Sequence, residues 1–433
     1  MKIEVSIGRL FVSVQRPRAG FRTFMMLPPL LRISSRNVLR NRRRSGITFV
    51  ALFLSVAVMI SIRGFFNGMQ ASMRDATVLG QTGALQVHRK GFLKSANASS
   101  LHLDLPTSEA FMARILAVPG IKAATARIVF SGMANANDIS GPALFAAIEP
   151  RRELAVCPLR MEMVSAGKTL AESGPASGVL THELAKSLGL KLRQRAAILI
   201  SDRDGVMSAL DFDFVGVYGQ PGFPLRDKKL GFVPLDFAQS LLRMEGRATE
   251  IAVAIERPDD AERFRPLLQA AVGPDYEVST WHDVASFIDD LIAGQNFMLN
   301  QLSAIFLFVA LLGIGNTMLM SVQERTREIG TMMSVGVRRY QILGLFLLEA
   351  ALLGLSGGLF GAAVATGLVS YCGHTGILLR VPGMLAPMHV YPRVSLGYEL
   401  MVLTLSAGGA ALAALWPAVR ASRMRPVQSL SAV

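Results

Sequence analysis

Four stretches of the chain are apolar on every side rather than along one face. They cover residues 46–66, 297–322, 342–371 and 396–419. Each is long enough to cross a bilayer as a helix, which takes roughly 20 residues. The stretch between the first two reads differently. Period-two alternation and β-branched residues predict strands at 84–88, 125–130, 143–148, 196–201, 212–217, 230–233, 250–255 and 276–280. Helical periodicity marks 108–117, 182–188, 235–244 and 259–271, and Val118-Pro119-Gly120 ends the first of these. From Trp281 onward Val284, Phe287, Ile288, Leu291 and Ile292 recur on one helical face, as in a stalk leading into the second span. The predicted fold class is an integral membrane α-helical protein with four transmembrane helices and a large α+β domain, residues 67–296, inserted between helices 1 and 2. The order of its elements suggests two lobes, one from 84–150 with 245–285 and one from 155–240.

Charge sets the orientation. The 433 residues are 51% hydrophobic and 18% charged, with a formal net charge of +14. Residues 1–45 hold eleven Lys or Arg against one acid, Glu4. The rest of the excess lies at 323–341 and 420–433, again beside apolar runs. That is the positive-inside pattern, so these segments and both termini are expected in the cytoplasm, with 67–296 and a short loop at 372–395 outside the membrane. Basic residues confined to span flanks are not a nucleic-acid footprint, and no nucleic-acid partner is expected. The basic run Arg42-Arg43-Arg44 before a full-length span marks a signal anchor rather than a cleaved leader. Leu30, Leu31, Ile33, Val38 and Leu39, interleaved with Arg32, Arg36 and Arg40, predict an amphipathic elbow helix on membrane lipid. The start of translation stays open between Met1, Met25 and Met26. Two cysteines, Cys157 and Cys372, exclude a disulfide framework.

Enzyme motifs fail on spacing. Gly167-Lys168-Thr169 lacks the first glycine of a phosphate loop, position 162 being Glu. His182-Glu183 lacks the second histidine, position 186 being Lys. Gly354-Leu355-Ser356-Gly357-Gly358 has the nucleophile-elbow pattern but lies inside a predicted span, with no histidine in any span. No catalytic residue, metal ligand or cofactor of its own is therefore expected, and no ATPase of its own. Three other features carry more. Glu324–Gly336 follows the second span; Glu324 with Arg327, and Arg325 with Glu328, are i,i+3 pairs, Ile329, Met332 and Met333 add an apolar edge, and Gly336 ends the helix. A charged helix of this kind held at the membrane suits docking to a soluble partner. Gly354, Gly357, Gly358 and Gly361 form two small-xxx-small spacings for close helix packing. Glu349 is an ionisable group inside the third span and needs a partner, for which Asn316 is at similar depth.

The run Ser35-Arg36-Asn37-Val38-Leu39-Arg40-Asn41-Arg42-Arg43-Arg44 resembles the pre-membrane segment of MacB/FtsX-type ABC permeases. Thr82–Phe92 resembles the first extracytoplasmic strand of the lipoprotein-releasing LolC/LolE-like branch. Asn316-Thr317-Met318 through Gly336, then Leu347-Leu348-Glu349-Ala350, resemble the most specific part of the superfamily. Trp416–Arg423 with Pro426-Val427 resembles its end, and Ser334-Val335-Gly336 stands where the family more often has Ala-Leu-Gly. The resemblance implies a permease subunit that pairs with a second copy or homologue and binds a separate cytoplasmic ABC ATPase, which holds the ATP. Glu324, Arg325, Arg327, Glu328, Ile329, Met333 and Gly336 would form the coupling helix. Gly354, Gly357, Gly358, Gly361 and Glu349 would serve helix packing. It implies mechanotransmission: ATPase closure moves the spans, and the extracytoplasmic domain extracts or exports lipoproteins or other amphipathic substrates. A periplasmic carrier would be met by a projecting loop, for which 220–229 is the candidate. Two other classes are an FtsX-like regulator of a periplasmic hydrolase and a membrane-anchored enzyme.

Overall fold

A computed structural model describes residues 42–93, 101–219, 229–379 and 388–424. The elbow helix, nearly all of the 220–229 loop and Pro426-Val427 lie outside the described residues. The chain divides into two compact units, one of membrane helices and one comprising Phe65–Met298 with Tyr371–Arg393.

The second unit is built on one sheet. Its strands are β1 (Leu85–Arg89), β2 (Leu105–Pro106), β3 (Ile121–Ala136), β4 (Ile139–Ile148), β5 (Val164–Gly167), β6 (Ser177–Thr181), β7 (Arg195–Ser201), β8 (Met207–Tyr218), β9 (Leu230–Pro234), β10 (Arg247–Ala248), β11 (Glu250–Ile255) and β12 (Tyr276–Thr280). All of these but the short β2–β10 pair join in the order β12-β1-β11-β3-β4-β9-β6-β8-β5, β7 bridges β3 and β8, and Ile377–Leu379 pairs separately with Met388–Val390. The two-lobe expectation is corrected here. β3 is 16 residues long. Its first part pairs with β11, its last part with β7, and β4 runs beside it from Arg127 to Ala136. The strands from both ends of the domain and those from its middle thus share one ladder. The bridge through β7 closes β3, β4, β9, β6, β8 and β7 into a ring, so these strands have few free edges. Asn137 and Asp138, both left-handed at φ 52° and 62°, make the two-residue turn between β3 and β4. Phe130 stacks on Phe145, which meets Phe212 edge-on, in the core cluster that joins both ends and the middle of the domain. At Gly178 a Cβ would lie 2.3 Å from the Phe212 ring, so that ring occupies the space a side chain would need.

The first membrane helix runs from Arg42 to Thr77 and widens into a π-turn, Val78–Thr82. It therefore outlasts the apolar run that was expected to end at residue 66. Residues 67–77 lack proline and keep helical periodicity, with Met73 in the domain core and Met69 packed on it. The second helix, Ser286–Glu324, is 39 residues long. Beyond the apolar runs the two touch, the Gln70 amide donating to Gln295 Oε1 at 3.3 Å and to Asn296 Oδ1 at 3.2 Å.

In the membrane unit the third helix, Arg339–Thr375, is central. Half of its most apolar stretch is buried, against 28–33% for the other three. The fourth, Leu396–Ala413, continues after a break as Leu415–Ser422. Thr48 and Thr317 hydroxyls meet at 2.7 Å between the first and second helices, and Ser303 and Tyr398 at 2.7 Å between the second and fourth.

Candidate coupling site

The second helix ends at Glu324, and the chain bends at Arg325 (φ −101°, ψ 12°) into a short helix, Thr326–Ser334. The Thr326 hydroxyl donates to the carbonyls of Gln323 (2.8 Å) and Val322 (3.2 Å), a back-bond that bends helices. The short helix stops where the sequence places Gly336. Gly336 adopts φ +101°, its N–H donates to the Met333 carbonyl at 3.1 Å, and the Val337 N–H reaches the Met332 carbonyl at 3.0 Å. This is a Schellman closure, which satisfies the last carbonyls and turns the chain into the third helix.

The apolar edge of the short helix faces inward. Ile329 is fully buried in a cluster with Val322, Ile342, Phe346, Ala418 and Ala421, and Met332 and Met333 pack against it. The segment is thereby pinned to the third helix and to the end of the fourth. Arg325 also turns inward. It is 5% exposed, and its Nη1 donates to Glu349 Oε2 at 3.2 Å and Oε1 at 3.5 Å; Glu349 is 4% exposed. Two expectations are corrected. Arg325 and Ile329 are not on a docking face, because burial commits both to the bundle, and Met333, half-buried against the same cluster, turns the same way. The partner the structure gives Glu349 is Arg325 rather than Asn316. Both follow from the bend, which carries Arg325 back over the start of the third helix, a contact invisible in sequence spacing.

The outer face holds Glu324, Arg327, Glu328, Thr331, Ser334 and Gly336. Beside them stand residues that sequence reasoning missed, Val335 (87% exposed) and Tyr340 (60% exposed), with Arg338 and Arg339. Nothing in the sequence marks them, because their exposure is set by the bend and the turn at Gly336.

The four packing glycines divide between two neighbours. A Cβ at Gly354 would lie 2.5 Å from the Ser406 carbonyl, and one at Gly358 2.6 Å from Ser406 Oγ, both on the fourth helix. A Cβ at Gly357 would lie 2.9 Å from Leu52 Cβ, and one at Gly361 2.7 Å from the Phe53 carbonyl, both on the first. The third helix therefore presents one small-residue stripe to each side. Ser356, the would-be nucleophile, donates its hydroxyl to the Leu353 carbonyl at 3.1 Å in mid-helix, with no strand-to-helix elbow.

Comparison with known proteins gives two successive family matches along the chain. Residues 45–271 match the model of the MacB-like periplasmic core domain, and residues 300–426 match that of the FtsX-like permease C-terminal region. An uncharacterized ABC transporter permease of Methanocaldococcus jannaschii is 28% identical over 229 residues, 51% of this chain and 54% of its own length. The pyoverdine export ATP-binding/permease protein PvdT of Pseudomonas fluorescens is 24% identical over 413 residues, 90% of this chain and 57% of its own length. The chain spans about half the length of these two relatives. The crystal structure of the periplasmic region of MacB from Actinobacillus actinomycetemcomitans aligns with 51% of this chain and 98% of that one, at 13% identity and a TM-score of 0.35.

Proposed function

The chain belongs to the MacB/FtsX-type permease superfamily of ABC transporters, and from that premise we propose that it is the permease subunit of an export machine driven by a separate cytoplasmic ABC ATPase. It sits in the bacterial inner membrane with both termini inside and works with a second permease copy or homologue. The observation that carries this reading is the succession on one chain of a periplasmic core domain and a permease domain, with the pinned helix Thr326–Ser334 between two membrane helices.

The ATPase docks on the outer face of that helix, through Glu324, Arg327 and Glu328, with Val335 as an apolar contact. Arg325, Ile329 and Met333 tie the helix to the bundle, so a push on its outer face moves the second, third and fourth helices together. This is mechanotransmission: hydrolysis inside displaces helices, and the domain outside extracts or exports a lipoprotein or another amphipathic molecule. The LolC/LolE-like resemblance of Thr82–Phe92 supports the lipoprotein as substrate, and the name of the Pseudomonas relative supports small exported molecules. Exchanging the two exposed charges, Arg327→Glu with Glu328→Arg, should abolish stimulation of the ATPase while expression and folding persist. Unchanged stimulation would remove this face from the interface.

A further inference from the structure

The first membrane helix does not end in solvent. Its π-turn, Val78–Thr82, ends against a buried ionic network of the sheet domain. Arg127 of β3 is 1% exposed, Arg160 of the helix Pro158–Glu162 is 6% exposed, and Glu153 of the helix Pro150–Val156 is fully buried. Arg127 grips Glu153 with two bonds, Nε to Oε2 at 3.0 Å and Nη2 to Oε1 at 2.7 Å. Its Nη1 lies 3.3 Å from Glu250 of β11, and Arg160 Nη1 lies 2.8 Å from Glu153 Oε1. Two guanidinium groups thus face two carboxylates, and the network is neutral.

The remaining donors go to the helix end. Arg127 Nη1 donates to the Gln81 carbonyl at 2.7 Å, Arg160 Nη2 to the same carbonyl, and Arg160 Nε to the Gly80 carbonyl at 3.1 Å. The Cys157 thiol donates to the Val78 carbonyl at 3.4 Å, and the Gln86 amide takes the Thr82 carbonyl at 2.8 Å. A helix C-terminus carries orphan carbonyls and partial negative charge, and cations there stabilise it. Two buried arginines on one carbonyl exceed what capping needs, because water or one exposed lysine would satisfy it. Burial works against the charge on Arg127, but Glu153 above all outweighs it and holds the guanidinium ionised. Burial likewise disfavours the Glu153 carboxylate, and Arg127 with Arg160 outweighs that and keeps its pKa below the usual range. The fold retains four charges in its interior around this one turn.

We propose that Arg127 and Arg160 are positioning residues that lock the end of the first membrane helix to the sheet, so that displacement of the helix moves the domain as a rigid body. The inference rests on the mechanotransmission reading for its purpose, and on the geometry above for its existence. Arginine suits the task because its planar fork is fixed in several directions at once, which the point charge of lysine is not.

The test uses the full chain in lipid nanodiscs with its co-purified ATPase, in a background carrying Cys372→Ser. Spin labels at Asp75, on the helix, and Lys122, on β3, report the distance across the joint. The native protein should give one narrow distribution, unchanged by ATP with vanadate. Arg127→Met with Arg160→Met should broaden it at least twofold and make Cys157 reactive to maleimide, while ATP hydrolysis continues. If that pair fails to fold, Arg160→Met with Glu250→Gln keeps the charge balanced and the Arg127–Glu153 fork intact. It removes the Arg160 bonds to the turn together with the Arg160–Glu153 and Arg127–Glu250 ion pairs, and should still broaden the distribution. An equally narrow distribution in a folded variant, or a broad one in the native protein, would overturn the joint. The nucleotide-free measurement stands without an ATPase. A narrow native distribution that the folded variants broaden, in a preparation where no ATPase co-purifies, would keep the joint and refute the transport reading.

Discussion

Replacing Arg325 by Met should destabilise the membrane unit far more than replacing Arg325 and Glu349 together. The two charges are 3.2 Å apart and almost wholly buried. At an effective dielectric constant of about 20 such a pair attracts by about 5 kcal/mol. Removing each charge from water costs several kcal/mol, so the pair contributes little net stability. The asymmetry is what the experiment reads. Arg325→Met leaves a buried carboxylate without its guanidinium, and Glu349→Met leaves the converse; each should cost about 3–5 kcal/mol. The double substitution to methionine leaves no charge behind and should cost about 1 kcal/mol or less. The assay is a double-mutant cycle by SDS titration of the purified chain in mixed micelles, with ATPase stimulation measured beside it. Costs that add to within about 0.5 kcal/mol would refute the pair as the fixture of the bend.

Other outcomes follow from local geometry. Gly361→Ala should cost about 1–3 kcal/mol, because its Cβ would come within 2.7 Å of the Phe53 backbone, whereas Gly367→Ala, with nothing within 4 Å, should be neutral in the same titration. His88 is buried in the sheet domain with its Nε2 3.0 Å from Gln86 Oε1, and burial holds its pKa below the usual 6.5 although Glu250 pulls the other way. The unfolded chain then binds the proton first, so stability is complete above pH 6.5 and falls as pH drops through that value toward the lowered folded pKa. Thermal unfolding between pH 7.5 and 5 should show this slope, and His88→Gln should reduce it; an identical slope in the variant would contradict the assignment. Glu153 has the same sign in a more acidic window: its contribution is complete above the ordinary value of 4.5 and is lost only below it, so Glu153→Gln should flatten the acid limb.

Where a pattern repeats locally, the sequence predicts the fold well. β11 and β12 fall at the expected residues, because Ile251–Ile255 is a short apolar run rich in β-branched residues and Tyr276–Thr280 alternates apolar and polar positions. The four apolar helices are legible from hydropathy alone. The sequence pattern marks six residues of β3, which has 16, since its ends, Ile121-Lys122-Ala123 and Met133–Ala136, are poor in β-branched residues and owe their strand form to partners on both sides. The helix at 67–77 was missed because hydropathy reports lipid, and these residues leave it while remaining helical. The short helix after the second span could be located, but its faces could not. Glu324, Arg325, Arg327 and Glu328 look alike in sequence, and only the bend decides that Arg325 turns inward. Arg127 gave no signal either, a single arginine in an apolar strand whose partners Glu153, Gln81 and Glu250 lie 26, 46 and 123 residues away.

The central claim, a permease worked by a separate ATPase, is tested most directly by purifying the tagged chain in mild detergent, identifying its partners by mass spectrometry and assaying the eluate for ATP hydrolysis. The account predicts a co-purifying ABC ATPase with vanadate-sensitive turnover that Arg327→Glu with Glu328→Arg releases from the complex. A folded chain that brings down no ATPase would contradict it.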